Sequence, residues 1–172
     1  MSTSQAGHQS AAAQARNLAL RLLTTRPRTV AELRALLASR FGTSTVEHTL
    51  GRLQSEGLLN DVDFARQWRS SRERRKPRSV SMIERELRSK GVAEEIVSDA
   101  LEGYDSSDAA YRAAAKYARK QKENSRATFD RRVRAFLERR GFESAIIRQT
   151  LQQLREELEV AEAGDKEREG RD

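Results

Sequence analysis

Apolar residues recur along the chain at intervals of three and four, in short stretches broken by Pro, Gly or small polar clusters. That period places one face of an α-helix against a core. Ala15, Leu18, Ala19, Leu22 and Leu23 predict a first helix over 11–24, ended by Arg26-Pro27-Arg28. Thr29 and Glu32 then read as a capping box, each side chain satisfying a free N–H of a second helix that buries Val30, Leu33, Leu36 and Leu37. Gly42 is expected to end it as a left-handed C-cap, and Ser44 to Glu47 to start a third helix on Val46, Leu50 and Leu53. Asp61 is expected to cap a fourth, with Phe64, Ala65 and Trp68 inward. Ser79 caps a fifth on Met82, Ile83 and Leu87, and Ile96, Val97, Ala100 and Leu101 mark a sixth. Asp105 opens a seventh, rich in Ala and Tyr, reaching to about Lys122; after a polar connector, 121–127, Thr128 is expected to cap an eighth on Phe129, Val133, Phe136 and Leu137. The ninth carries Ile146, Ile147, Leu151, Leu154 and Leu158.

These elements keep a period of fifty. Leu33, Ile83 and Val133 are in register, as are Leu37, Leu87 and Leu137, then Arg40, Lys90 and Arg140, then Val46, Ile96 and Ile146. Arg26-Pro27-Arg28 returns as Lys76-Pro77-Arg78. Three copies in register with no insertion read as three three-helix blocks: 11–60, 61–105 and 106–158. A helix triplet of this size has little core of its own, so the blocks are expected to pack end to end into an elongated, curved rod. Residues 1–10 and the acidic 159–172 are expected to be disordered tails.

Composition agrees with an all-α class. Of 172 residues 37% are hydrophobic and 34% charged, enough for thin helical cores; only two Pro and nine Gly interrupt the chain. Zero Cys excludes disulfides, thiol catalysis and Cys-ligated zinc. No apolar run approaches the ~18 residues that span a bilayer, and the N-terminus lacks the basic and Leu-rich regions of a signal peptide. A cytoplasmic monomer with no membrane partner is expected.

Charge narrows the function. The net charge is +7, which favours a polyanionic partner. From Arg66 to Lys90 ten Lys or Arg face three Glu, and from Arg112 to Arg140 eleven basic residues face three acidic ones. The candidate binding residues are Arg72, Arg74, Arg75, Lys76 and Arg78 at the fourth-to-fifth helix joint, and Arg85, Arg88 and Lys90 on and just after the fifth helix. Arg131, Arg132, Arg134, Arg139 and Arg140 repeat the pattern on the eighth. Guanidinium groups make planar, paired contacts to carboxylate and phosphate alike, so an acidic protein and DNA both qualify. Trp68 beside Phe64 is read as core rather than as a base-stacking platform.

Nothing points to catalysis. His8 and His48 have no Asp or Cys partner in the pattern, and no Gly-rich phosphate loop, GxSxG or HExxH occurs. Carboxylate pairs such as Glu84/Glu86 and Glu94/Glu95 lie among arginines and read as surface ion pairs. No enzyme activity, metal or cofactor is expected.

The residues that carry a family likeness are Arg26-Pro27-Arg28-Thr29-Val30-Ala31-Glu32-Leu33, then Glu56-Gly57-Leu58-Leu59-Asn60-Asp61 leading to Phe64-Ala65. With them go Arg78 to Val92, RSVSMIERELRSKGV, and Phe136 to Phe142, FLERRGF. In these the chain resembles the RecX regulatory proteins, modulators of the RecA recombinase, over about residues 15–155. Asn60 stands where that family usually has Asp, and Arg126-Ala127 replaces the third basic-Pro joint. The resemblance implies three tandem three-helix repeats lying in the groove of a RecA–DNA filament. It implies inhibition of recombinase, ATPase and coprotease activity, and thereby control of DNA repair and the SOS response. Two other readings stay open. One is a sequence-independent DNA-binding protein. The other is a helix-turn-helix transcription factor, since Val30–Leu59 looks like half of a winged domain.

Overall fold

The fifty-residue register is a register of helices. The computed structural model describes residues 2–119 and 125–169. Its order is α1 (Ser2–Thr25), α2 (Val30–Ala38), α3 (Thr43–Ser55), α4 (Asp61–Arg75), α5 (Val80–Ser89), α6 (Glu94–Leu101), α7 (Ser106–Ala118), α8 (Arg126–Glu138) and α9 (Ser144–Glu169). The fold is all-α, three helices to a repeat. Leu33, Leu37, Ile83, Leu87, Val133 and Leu137 are all fully buried, so these six in-register positions are the core positions of the middle helix of each triplet; of the third-helix set Val46 is buried and Ile96 and Ile146 are half-buried.

Local chemistry corrects several expected caps. The Thr29 hydroxyl does accept from the Glu32 N–H (3.1 Å), but the Glu32 carboxylate does not complete the box: Arg26 and Lys90 hold it instead. Gly42 is not a left-handed C-cap. It is the extended N-cap of α3 (φ −66°), and α2 has already ended at Ser39. Asn60, not Asp61, caps α4, its Oδ1 accepting from the N–H groups of Val62 and Asp63 (2.9 and 3.3 Å). Asp61 is thereby released to accept from Val30 at the start of α2 (2.9 Å). Thr128 lies inside α8, which begins after Ser125 because Arg126 and Ala127, unlike Pro, continue a helix. Ser79 and Asp105 cap α5 and α7 as expected. The expected end of α7 near Lys122 lies outside the described residues.

The two terminal helices are longer than their apolar patterns. α1 begins at Ser2 and α9 runs to Glu169. Past Leu154 the α9 extension is held by charge rather than by a core. Arg155 pairs with Asp130 of α8, Arg126 of α8 with Glu159 (2.6 Å), and the Tyr111 hydroxyl of α7 donates to Glu157 (2.8 Å).

The chain divides into two compact units, Met1–Arg69 with Glu84–Glu102, and Ser70–Ile83 with Gly103–Asp172. The division cuts α4 and α5, so the middle triplet is not a unit by itself. In the first unit α1 packs on α2 and α3 over Ala19, Leu33, Leu37, Val46, Leu50, Leu53 and Leu59. In the second, α7 packs on α8 and α9 around Ala109, Ala110, Ala113, Ala114, Val133, Leu137, Phe142, Ile147, Leu151 and Leu154. Alanines on α7 let the larger side chains of α8 and α9 approach closely.

Each unit holds one joint between successive repeats, and the two joints share a plan. In the first, the start of α2 meets the end of α5: the Thr29 hydroxyl donates to the Lys90 carbonyl (2.6 Å). In the second, the start of α5 meets the end of α8: the Ser79 N–H donates to the Arg140 carbonyl (3.1 Å). Positive helix N-terminus thus faces negative C-terminus. The closing residues are Gly91 (φ 75°) and Gly141 (φ 83°). A Cβ on Gly91 would overlap Ala31, and one on Gly141 would come within 2.6 Å of the Ser79 hydroxyl.

Candidate anion-binding interface

The predicted cationic residues separate into paired and gathered groups. Arg88 is exposed but matched: its guanidinium grips Glu94 through two hydrogen bonds (2.6 and 2.5 Å) and lies 3.8 Å from Glu84. Lys90 is matched as well. Its ammonium pairs with Glu32 (3.0 Å) and lies 4.6 Å from the centre of the Trp68 ring. Trp68 in turn stacks on Phe64 (5.7 Å) and donates its indole N–H to Glu86 (2.7 Å). It is a structural residue of the first unit, as its apolar neighbours suggested, and Glu86 is its partner rather than half of a carboxylate pair. Arg85 is exposed on α5.

Glu32 is the most perturbed acid of the first joint. Burial, the largest single influence, would raise its pKa. Hydrogen bonds from Arg26 and Lys90, with their charges, reverse that and hold it at about 2. Asp61 moves the other way: burial lifts its carboxyl above the usual range, only partly offset by the Val30 N–H.

In the second unit a cleft of about 360 Å³ lies where the end of α4 meets α7 and α8. Arg74, Arg75 and Lys76 enter it from the end of α4, Arg112 and Lys116 from α7, and Arg140 from the end of α8; Glu73 is its one acidic lining residue. The apolar wall is Pro77, Ala113, Tyr117 and Phe136. Tyr117 and Phe136 stack at 4.2 Å, and the Arg140 guanidinium covers Phe136 at 4.4 Å while donating to the Pro77 carbonyl (2.8 Å). Removal from water lowers the pKa of Arg140, and Arg78 and Arg139 push it the same way.

Four of the thirteen predicted residues therefore converge: Arg74, Arg75, Lys76 and Arg140. Arg72 is half-buried on α4, and Arg78 is half-buried with its carbonyl accepting from the Tyr104 hydroxyl (2.7 Å). Arg131, Arg132 and Arg139 are exposed and Arg134 half-buried along α8, none of them lining the cleft. Arg85, Arg88 and Lys90 belong to the other unit. Sequence reasoning missed Arg112 and Lys116, whose four-residue spacing on α7 was the available signal. Among the described residues no cluster of His, Cys, Asp or Glu could hold a metal ion, and no helix is long and apolar enough to cross a membrane.

Comparison with known proteins is consistent along the whole of this framework. Family models described as the first, second and third three-helix domains of RecX match residues 15–53, 60–101 and 104–151. A protein from Pelodictyon phaeoclathratiforme named regulatory protein RecX is 39% identical, over 81% of this chain and 88% of its own. One of the same name from Mycobacterium marinum is 38% identical, over 77% and 80%. The crystal structure of RecX from Lactobacillus salivarius superposes with a TM-score of 0.71 at 23% identity, covering 85% of this chain and 97% of that one, a likeness of fold.

Proposed function

The chain belongs to the RecX family of regulatory proteins, which are not enzymes, and from that premise we propose that it binds in the groove of a RecA–DNA filament and restrains the recombinase. The observation that carries the reading is the ordered match of all three domains across 15–151. The charge distribution supports it. Arg74, Arg75, Lys76, Lys116 and Arg140 gather at one cleft of the second unit, where a surface of mixed phosphate and carboxylate would neutralise them. Binding there would hinder filament growth, DNA-dependent ATP hydrolysis, strand exchange and the coprotease function that controls the SOS response. The protein would act in the cytoplasm, as a monomer and without a cofactor.

The transcription-factor reading loses its support at α4. A winged domain needs a β-hairpin after its second helix, whereas Asp61 starts another helix and no strand occurs among the described residues. A DNA-coating protein indifferent to the recombinase is the other reading, and one assay separates the two. Purified protein should lower ATP hydrolysis by the cognate recombinase on single-stranded DNA at substoichiometric amounts. Unchanged hydrolysis at equimolar protein would refute the proposal. Reversing Arg74, Arg75 and Lys76 to Glu should weaken inhibition about tenfold with helical circular dichroism intact; full inhibition by that variant would place the contact elsewhere.

A further inference from the structure

The two repeat joints share a plan, but only one is electrically complete. In the first, the Glu32 carboxylate lies between Arg26 (2.9 Å) and Lys90 (3.0 Å). Fifty residues on, Arg26 becomes Lys76, Lys90 becomes Arg140, and Glu32 becomes Met82. The second joint keeps both cations and loses the anion. Lys76 and Arg140 instead line the open cleft, together with Arg74, Arg75, Arg112 and Lys116.

We propose that this cleft is a phosphate site, in which backbone phosphates of a nucleic-acid strand stand where Glu32 stands in the first joint. The inference rests on the reading of the chain as a protein of the recombinase–DNA filament and identifies the component of that filament that the cleft takes.

One observation favours phosphate over the carboxylates of an acidic peptide. In the first joint two cations satisfy one carboxylate; in the cleft Arg112 is matched by Asp108 of α7 (2.7 Å), which leaves five cations against Glu73. Successive phosphates of one strand supply several acceptors within that volume. The aromatic floor then separates the backbone of a strand from its bases. One face of Phe136 is taken by Tyr117 and the ring is also covered by Arg140. Its ring is committed inside the protein, so the cleft offers charge rather than a stacking platform. Such a site reads the backbone and ignores the bases. Arg140 adds a cost that an anion removes: it is half-buried, its charge is disfavoured by lost hydration and by Arg78 and Arg139, and among the described residues no carboxylate forms an ion pair with it.

The test is fluorescence anisotropy of a labelled oligothymidine on the full chain, with no recombinase present. Met82→Glu places a carboxylate in the register position of Glu32. It should weaken binding about tenfold and reduce the log–log salt slope by about 0.7, one single-strand phosphate contact. Gln149→Glu, the same charge change at an exposed position of α9, should stay within about twofold. Arg112→Ala with Lys116→Ala, two exposed positions on α7, should also weaken binding about tenfold with unchanged circular dichroism, and this pair decides the matter if Met82→Glu does not fold. Binding that is absent at low salt, or unmoved by these variants, overturns the proposal. So does displacement by an oligoglutamate of equal charge as effective as displacement by unlabelled oligothymidine, which would make an acidic peptide the occupant. The ATPase assay on the same preparation keeps the two conclusions apart. Inhibition without strand binding overturns the phosphate site alone. Strand binding that the variants weaken, without inhibition, upholds the site and refutes the recombinase reading.

Discussion

Single residues decide the joints. Glu32 is held at about pKa 2 in the folded chain, against about 4.3 for an unfolded glutamate. A carboxyl whose folded value is depressed adds stability above its unfolded value and loses it as pH falls toward the folded one. Replacing Glu32 by Gln should therefore cost about 1–2 kcal/mol at pH 7, allowing for partial exposure of the pair. Urea unfolding should show the gap to wild type narrowing steadily from pH 5 to pH 2. An equal gap at pH 7 and pH 3 would contradict the assignment. Glycines give a contrast of opposite sign. Gly141→Ala meets both a left-handed backbone and the Ser79 hydroxyl, and should destabilise by about 1–3 kcal/mol. Gly51 lies in the interior of α3 with nothing within 4 Å of a new Cβ, so Gly51→Ala should stabilise by about 0.5–1 kcal/mol. Thermal melting of the two variants checks both signs.

At the scale of elements, the helices were legible because apolar spacing and burial obey the same period. Leu33, Leu37, Val46, Leu50 and Leu53 read as an inward stripe and are buried. The caps were legible only where one local side chain decides, as at Ser79 and Asp105. At Asp61 and Glu32 a partner distant in sequence won: Val30 takes the first carboxylate, and Arg26 with Lys90 the second. Asn60, unremarkable as the family's usual Asp replaced, does the capping instead. Asn60→Ala should accordingly cost about 1 kcal/mol in chemical denaturation, and Asp61→Asn should leave α4 intact. The charged clusters were visible as composition, but which cations are spent was not. Arg88 looks like Arg74 in the sequence; only the fold shows that Arg88 is matched by Glu94 while Arg74 faces a cleft. The two α7 cations, Arg112 and Lys116, share a face by their four-residue spacing, but tertiary packing is what brings that face to the cleft.

At the scale of the whole molecule, a three-domain RecX architecture carries a cationic face with one incomplete joint. The repeat supplies two similar joints within one chain, and the divergence between them, Glu32 against Met82, is where a binding function separates from a structural one. The decisive measurement is electron cryomicroscopy of the cognate recombinase filament on single-stranded DNA, with saturating protein. Added helical density is expected in the filament groove, with the end of α4 and the α7 face of the second unit turned toward the strand. A filament with a bare groove at saturating protein would contradict that expectation.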